Sequence, residues 1–179
     1  MTTVAIPRVL HGVFGTQQSR VSLSLILLAM PFAVAAVWPT LLTVEPWRGI
    51  LAALLVADIA AGAVANVTRG TNGHYASSAR RKAVFLTVHV HLPIVALLLS
   101  LAMRPALVAW ALTIIAGTVV VLLRSSTLQR PVAAVGIIVI LSITVLIAET
   151  STPLLFIASL FAIKVVLSFA VDHSRATGP

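Results

Sequence analysis

The sequence predicts an all-α protein, a polytopic membrane helix bundle with six transmembrane helices. Three observations support this fold class. Of the 179 residues, 60% are hydrophobic and only 9% are charged, whereas a typical soluble domain carries about 25% charged residues. The apolar residues form successive runs of about 20, the length at which a helix crosses the hydrocarbon core of a bilayer. The basic residues lie mostly between these runs, where loops would be.

The six predicted spans are separated by short polar connections. Proline marks three of the starts, because Pro105, Pro131 and Pro153 stand at or just before a first helical turn. A missing N–H costs nothing at that position. The predicted spans cover residues 21–41, 49–68, 83–103, 106–123, 131–148 and 153–171.

The chain divides into three parts around these spans. Residues 1–20 form a short amphipathic N-terminal segment, residues 21–173 form the six-helix membrane domain, and residues 174–179 form a short tail. Apolar residues between Ile6 and Phe14 recur at helical spacing after Pro7. This pattern predicts an interfacial helix that lies on the membrane. A disordered tail is the alternative.

The distribution of charge predicts the orientation. Lys and Arg total 12 against 4 Asp and Glu. Because cytoplasmic loops carry the excess of basic residues, we expect both termini and the second loop to be cytoplasmic, with the protein multi-pass in the cell (inner) membrane. Topology thus accounts for the positive charge, and we expect the bilayer rather than nucleic acid as the partner. The nine basic residues on the predicted inner side are Arg8, Arg20, Arg69, Arg80, Arg81, Lys82, Arg124, Arg130 and Arg175, against Arg48 and Arg104 outside.

Two charged residues lie inside predicted spans. Asp58 and Lys164 are near the middle of the second and sixth spans. A lone charge at that depth costs at least about 2.5–3.5 kcal/mol, so pairing would relieve both. The sequence therefore predicts an Asp58–Lys164 contact. The pair could be a salt bridge that locks two helices, or a site that changes protonation or binds a solute.

Two histidines lie about two turns into the third span. His89 and His91 are two residues apart, so a regular helix would turn them to nearly opposite faces. Pro93 removes the hydrogen bond to the carbonyl of residue 89, which predicts a kink and a free backbone acceptor. We expect one histidine in the polar site and favour His91, the deeper of the two.

Further polar residues cluster at the predicted cytoplasmic end. Asp172 and His173 end the sixth span, and Asn66 lies two turns beyond Asp58 in the second. The basic residues of the second loop suit anionic headgroups, although they could serve only to set the topology. The candidate substrate-binding residues are Asn66, Asn72, His74, Tyr75, Arg80, Arg81 and Lys82.

These groups predict a membrane-embedded enzyme that acts on a lipid or isoprenoid-like substrate by acid–base chemistry. The candidate catalytic residues are Asp58, His91, Lys164, Asp172 and His173. In a metal-assisted form, a single divalent ion would be held by ligands drawn from His89, His91, His173 and Asp172. The alternatives are a small proton- or ion-coupled transporter or channel, and an accessory subunit. A homo-oligomer is a further alternative, because several chains together could line a path that one chain lacks.

Overall fold

The computed structural model describes residues 3–7, 11–68, 70–72, 79–147 and 149–173, and it is mostly helical, at 76%. Strands β1 (Thr3–Ala5) and β2 (Gln17–Ser19) form an antiparallel pair. The helices are α1 (His11–Phe14), α2 (Arg20–Ala36), α3 (Trp38–Leu41), α4 (Pro46–Ala65), α5 (Ala79–Val88), α6 (His91–Leu98), α7 (Met103–Leu122), α8 (Gln129–Leu146) and α9 (Thr152–Ala162), which continues directly into a π-helical segment, Ile163–Phe169.

Four helices in the described part of the chain are long and apolar enough to cross a membrane. They are α4, α7, α8 and the continuous unit made of α9 and the π-helical segment. The remaining two predicted spans are also helical but shorter. Helix α2 has 17 residues and is followed by the single turn of α3, and the third predicted span is divided into α5 and α6. The chain is therefore a helical, multi-pass membrane protein.

Helix α4 lies inside the bundle and contacts α2, α6, α9 and the π-helical segment. Its buried face is made largely of small residues, among them Ala52, Ala60, Ala61 and Gly62. Small residues allow helix backbones to approach closely, which is how helices associate in lipid. By contrast, α7 and α8 present large exposed side chains such as Leu122 and Leu146. Helix α2 does the same, with Leu28 and Phe32 exposed.

The third predicted span is interrupted where the sequence indicates. Helix α5 ends at Val88 and α6 begins at His91, with Pro93 in its first turn. The carbonyl of His89 is released by the proline and accepts a hydrogen bond from the indole N–H of Trp110 at 2.9 Å. The predicted break is confirmed, and the freed acceptor is satisfied by a neighbouring helix.

The N-terminal segment differs from the predicted interfacial helix. Within the described residues, its helical part is the single turn of α1, and residues 3–5 pair with 17–19 as a hairpin. The physical reason is that so short a helix is marginal by itself, and Gly15, at φ 70°, ends it in a left-handed turn. The side chain of Gln18, only 2% exposed, donates to the hydroxyls of Thr68 and Thr71. The hairpin is thereby fixed to the turn after α4.

We call this end of the bundle the hairpin end; it comprises the described residues 3–7, 11–19, 66–68, 70–72, 124–130 and 170–173. At the opposite end, Arg48 donates to the carbonyl of Leu97 and to the hydroxyl of Ser100, which joins the start of α4 to the turn after α6. Hydrogen bonds from its own backbone N–H and then from Arg48 hold the pKa of Glu45 below its usual range. This end is thus fastened by exposed charged residues.

Candidate intramembrane ion-pair site

Asp58 and Lys164 meet inside the bundle. The ammonium Nζ of Lys164 donates to Asp58 Oδ2 at 2.6 Å, and it lies 3.4 Å from the Asp58 backbone carbonyl oxygen. The lysine side chain is 4% exposed, whereas that of the aspartate is 33% exposed. The contact expected from the sequence is confirmed. Its two members have unequal surroundings, since only the carboxylate reaches the surface of the bundle.

Gly62 makes room for the lysine. It lies one turn after Asp58 on α4, and the stem of Lys164 passes directly over it. A Cβ at this position would stand 2.4 Å from Cε and 2.9 Å from Cδ of Lys164, far inside van der Waals contact. A larger side chain at this position would therefore have to displace the Lys164 stem.

The helix that carries Lys164 is locally wound as a π-helix. This winding covers Ile163–Phe169, and it closes with a hydrogen bond from the Ala170 N–H to the Val165 carbonyl, five residues back. One turn after the lysine, the hydroxyl of Ser168 donates to the Ala63 carbonyl at 2.6 Å. Lys164 and Ser168 therefore fasten the π-helical segment to α4 at two levels. Short π-helical turns occur frequently at functional sites.

His91 faces the carboxylate. Its Nε2 lies 3.6 Å from Asp58 Oδ2, and its side chain is 23% exposed. Its Nδ1 is buried and has no hydrogen-bond partner among the described residues. The kink at Pro93 places His91 at the first position of α6, where it can reach α4. The sequence favoured His91 over His89 for this position, and the structure places it there.

His89 has a different environment. It is 7% exposed, and its Nδ1 donates to the carbonyl of Phe85. Its ring stacks on Phe85, with centroids 3.5 Å apart, and Phe85 in turn stacks on Phe169 at 3.6 Å. The rings of His89 and His91 are 5.0 Å apart. His89 therefore packs behind the site and ties α5 to the π-helical segment, and it makes no direct contact with Asp58.

The exposed part of Asp58 lies at the lipid-facing border of the bundle. Leu54 and Leu51, on the same side of α4 one and two turns earlier, are 63% and 45% exposed. Ile94, one turn after His91 on α6, is 40% exposed. The carboxylate and imidazole are thus reached between α4 and α6 from the apolar surface, while the lysine is enclosed behind them.

Asn66 and Asn72 are buried at the hairpin end, at 3% and 6% exposure. The Asn72 amide nitrogen donates to the carbonyl of Val171 at 3.2 Å and to that of Asn66 at 3.4 Å. Lys82, predicted as a loop cation, lies instead in α5 and is 4% exposed. Helix α5 begins earlier than the predicted span, which draws this residue into the bundle. His74 and Tyr75 lie outside the described residues, as do the side chains of Arg80 and Arg81.

Asp172 and His173 do not join the ion pair. The backbone N–H of Asp172 donates to Gln129 Oε1 at 3.1 Å, and His173 Nε2 lies 3.0 Å from the Leu167 carbonyl oxygen. They follow Lys164 by eight and nine residues, which is about two turns along the helix. The predicted set His89, His91, His173 and Asp172 is therefore not brought together, and no three potential ligands converge on one point within the described ranges.

The structural role of Gln129 was not predicted from the sequence. Gln129 is 5% exposed, and its amide nitrogen donates to the carbonyls of Val120 and Ala170, both at 3.1 Å. It joins the end of α7, the start of α8 and the end of the last helix. A glutamine two residues before Pro131, at the start of an apolar run, was the available signal. A cleft of about 360 Å³ opens beside it, lined by Ser125, Ser126, Thr127, Gln129, Arg130 and Asp172.

No family model, curated protein or solved structure matches the chain. Its function is therefore inferred from the geometry of its own residues.

Proposed function

We propose that the protein is a membrane-embedded enzyme that acts on a lipid or isoprenoid-like substrate by acid–base chemistry. One observation carries this proposal: a partly exposed carboxylate, Asp58, lies 2.6 Å from a buried ammonium and 3.6 Å from an imidazole inside an apolar bundle. Ionisable groups at such depth are costly, and they mark functional sites in membrane proteins. A single ion pair is enough to join two helices, so the third ionisable group beside it supports a functional role.

Each of the three side chains has a distinct role in this proposal. His91 exchanges the proton with the substrate, because imidazole is the side chain that titrates near neutral pH. Asp58 orients the ring through Nε2 and compensates its charge when it is protonated. Lys164 balances Asp58 when the ring is neutral. In this proposal the substrate proton is exchanged at Nδ1 of His91, which is unpartnered but buried, so substrate binding has to open a way to this atom.

The proposal includes the membrane topology. The proposed protein crosses the cell (inner) membrane six times. The excess of basic residues on one side supports an orientation with both termini in the cytoplasm. Helices α2 and α5–α6 then cross as the first and third spans, and the hairpin end faces the cytoplasm. An amphipathic substrate would enter laterally from the bilayer between α4 and α6, where Leu54 and Ile94 lie on the outer side of Asp58 and His91. Asp172 and His173 would lie at the cytoplasmic surface, away from the reacting group.

A proton- or ion-coupled transporter is the second candidate. It is favoured by the irregular backbone on both sides of the ion pair: the break between α5 and α6, and the π-helical segment that carries Lys164. Interrupted helices at the bilayer midplane are typical of transporter sites. The enzyme stands first because Asp58 reaches the lipid-facing surface directly.

The test is lipid turnover. The full chain is purified into nanodiscs made from total membrane lipid, and lipid species are followed by mass spectrometry over time. We expect at least one species to be converted by the native protein, and Asp58→Asn and His91→Phe to abolish the conversion. Glu45→Gln, at an exposed carboxylate remote from the site, is the matched control. If no species changes, and the protein instead moves protons into proteoliposomes in an Asp58-dependent way, the transporter replaces the enzyme.

Topology is tested by single cysteines, because the chain contains none of its own. Thr71, in the predicted second loop, is fully buried, so the cysteine probes belong at Ser125 and Thr43, which are exposed. We expect a membrane-impermeant maleimide to label Thr43→Cys in intact cells and to label Ser125→Cys only after lysis. The reverse pattern would invert the orientation.

A further inference from the structure

Two buried amides at the hairpin end have unpaired polar atoms. Asn66 Nδ2 and Asn72 Oδ1 each lack a hydrogen-bond partner among the described residues. The two residues are in contact, since the Asn72 amide nitrogen lies 3.4 Å from the backbone carbonyl oxygen of Asn66. A buried polar atom without a partner costs stability, and a native structure keeps one only for a reason. An unpaired donor and an unpaired acceptor on two residues in contact call for a small polar group that can both accept and donate.

The chemistry of the missing partner follows from these atoms. Asn72 donates to two carbonyls, and this fixes which end of its amide points away as the acceptor. A hydroxyl complements the pair, because its oxygen accepts from Asn66 and its hydrogen is donated to Asn72. A phosphate or carboxylate does not, because it would bring negative oxygen against Asn72 Oδ1 and the two carbonyls.

We propose that Asn66 and Asn72 bind the hydroxyl headgroup of an uncharged amphiphile, such as diacylglycerol or a long-chain alcohol. Because this inference names a membrane lipid as the ligand, it rests on the proposed function. Asn66 follows Asp58 by eight residues on one helix, so the headgroup is held about 12 Å from the ion pair. The group that reacts would therefore lie about this distance from the hydroxyl along the substrate.

The experiment measures binding of a neutral and an anionic lipid with the same chains. The full chain in detergent is titrated with dioleoylglycerol and with dioleoyl phosphatidate, and bound lipid is quantified by native mass spectrometry. We expect dioleoylglycerol to bind more tightly. Loss of one hydrogen bond in Asn66→Leu should weaken it about five- to tenfold. Leucine is nearly isosteric and removes an unpaired buried group, so this variant should fold. Thr144→Val removes a buried hydroxyl that bonds only within its own helix, and it is the matched control.

Three results would overturn the assignment. The first is phosphatidate binding as tightly as the alcohol. The second is unchanged affinity in both Asn66→Leu and Asn72→Leu, which would show that no lipid hydroxyl is bound there. The third is displacement by free glycerol, which would make a soluble alcohol the ligand. His91→Phe separates this proposal from the enzyme. It should abolish turnover yet leave dioleoylglycerol affinity within about twofold, since it removes no headgroup contact and, unlike Asp58→Asn, leaves the buried ion pair in place.

Discussion

The buried ion pair gives the most exact prediction, because the charge that remains in each single variant has different surroundings. In Asp58→Asn the ammonium of Lys164 stays 4% exposed with only backbone carbonyl and amide oxygen near it. Removing one member of a buried pair costs about 3–5 kcal/mol, and we expect about 4 kcal/mol here. In Lys164→Met the carboxylate keeps the His91 ring at 3.6 Å and is 33% exposed. We expect a smaller loss, about 2–3 kcal/mol.

The double variant Asp58→Asn, Lys164→Met leaves no uncompensated charge. We expect it to lose only about 1–2 kcal/mol, so the coupling between the two positions should be about 5 kcal/mol. Unfolding is followed by tryptophan fluorescence during titration of mixed micelles with sodium dodecyl sulfate. The free energies of unfolding of the four proteins close the cycle. Losses that add within about 0.5 kcal/mol would refute the reasoning, because separate sites add in this way.

Three further predictions concern contacts that hold the site in place. Gly62→Ala should lower the free energy of unfolding by about 1–3 kcal/mol in the same titration, because its methyl group would overlap the Lys164 stem. Trp110→Phe should lower it by about 1–3 kcal/mol, because the His89 carbonyl loses its donor. Gln18→Leu should free the N-terminal hairpin, which limited proteolysis would detect as faster cleavage before α2, while the core of the bundle stays protected.

Each of these variants has a control within the chain. In Gly136→Ala the new methyl group would lie 3.3 Å from the Ala116 methyl group and 3.7 Å from Cγ1 of Val166, so this variant should cost less than Gly62→Ala. Trp47→Phe changes an indole that is 61% exposed and should be nearly neutral. Gln17→Leu alters the exposed neighbour of Gln18 and should leave the hairpin protected. If a control loses as much as its partner variant, the specific contact is not the cause.

Much of the site could be predicted because lipid makes polarity informative. In a chain with 9% charged residues, Asp58 and Lys164 stood out, and the cost of isolation implied that they would meet. Pro93 predicted the break before α6, because proline has no backbone N–H to donate. The position of Lys82 was harder to predict, because a basic residue in a loop and one at the start of a helix look the same in sequence. Gln129 resembled an ordinary surface glutamine beside a proline.

The sequence by itself determined the membrane character, the helical positions, the ion pair and the interruption of the third span. These depend on composition, periodicity and the covalent chemistry of proline, which are local properties. Only the tertiary structure decided which histidine reaches Asp58, that Gly62 admits the lysine stem, and that Asp172 and His173 stay at the hairpin end. It also paired residues 3–5 with 17–19 instead of extending a helix. The physical reason is that such contacts depend on helix rotation, crossing and local π-winding, which arise from packing between segments distant in sequence.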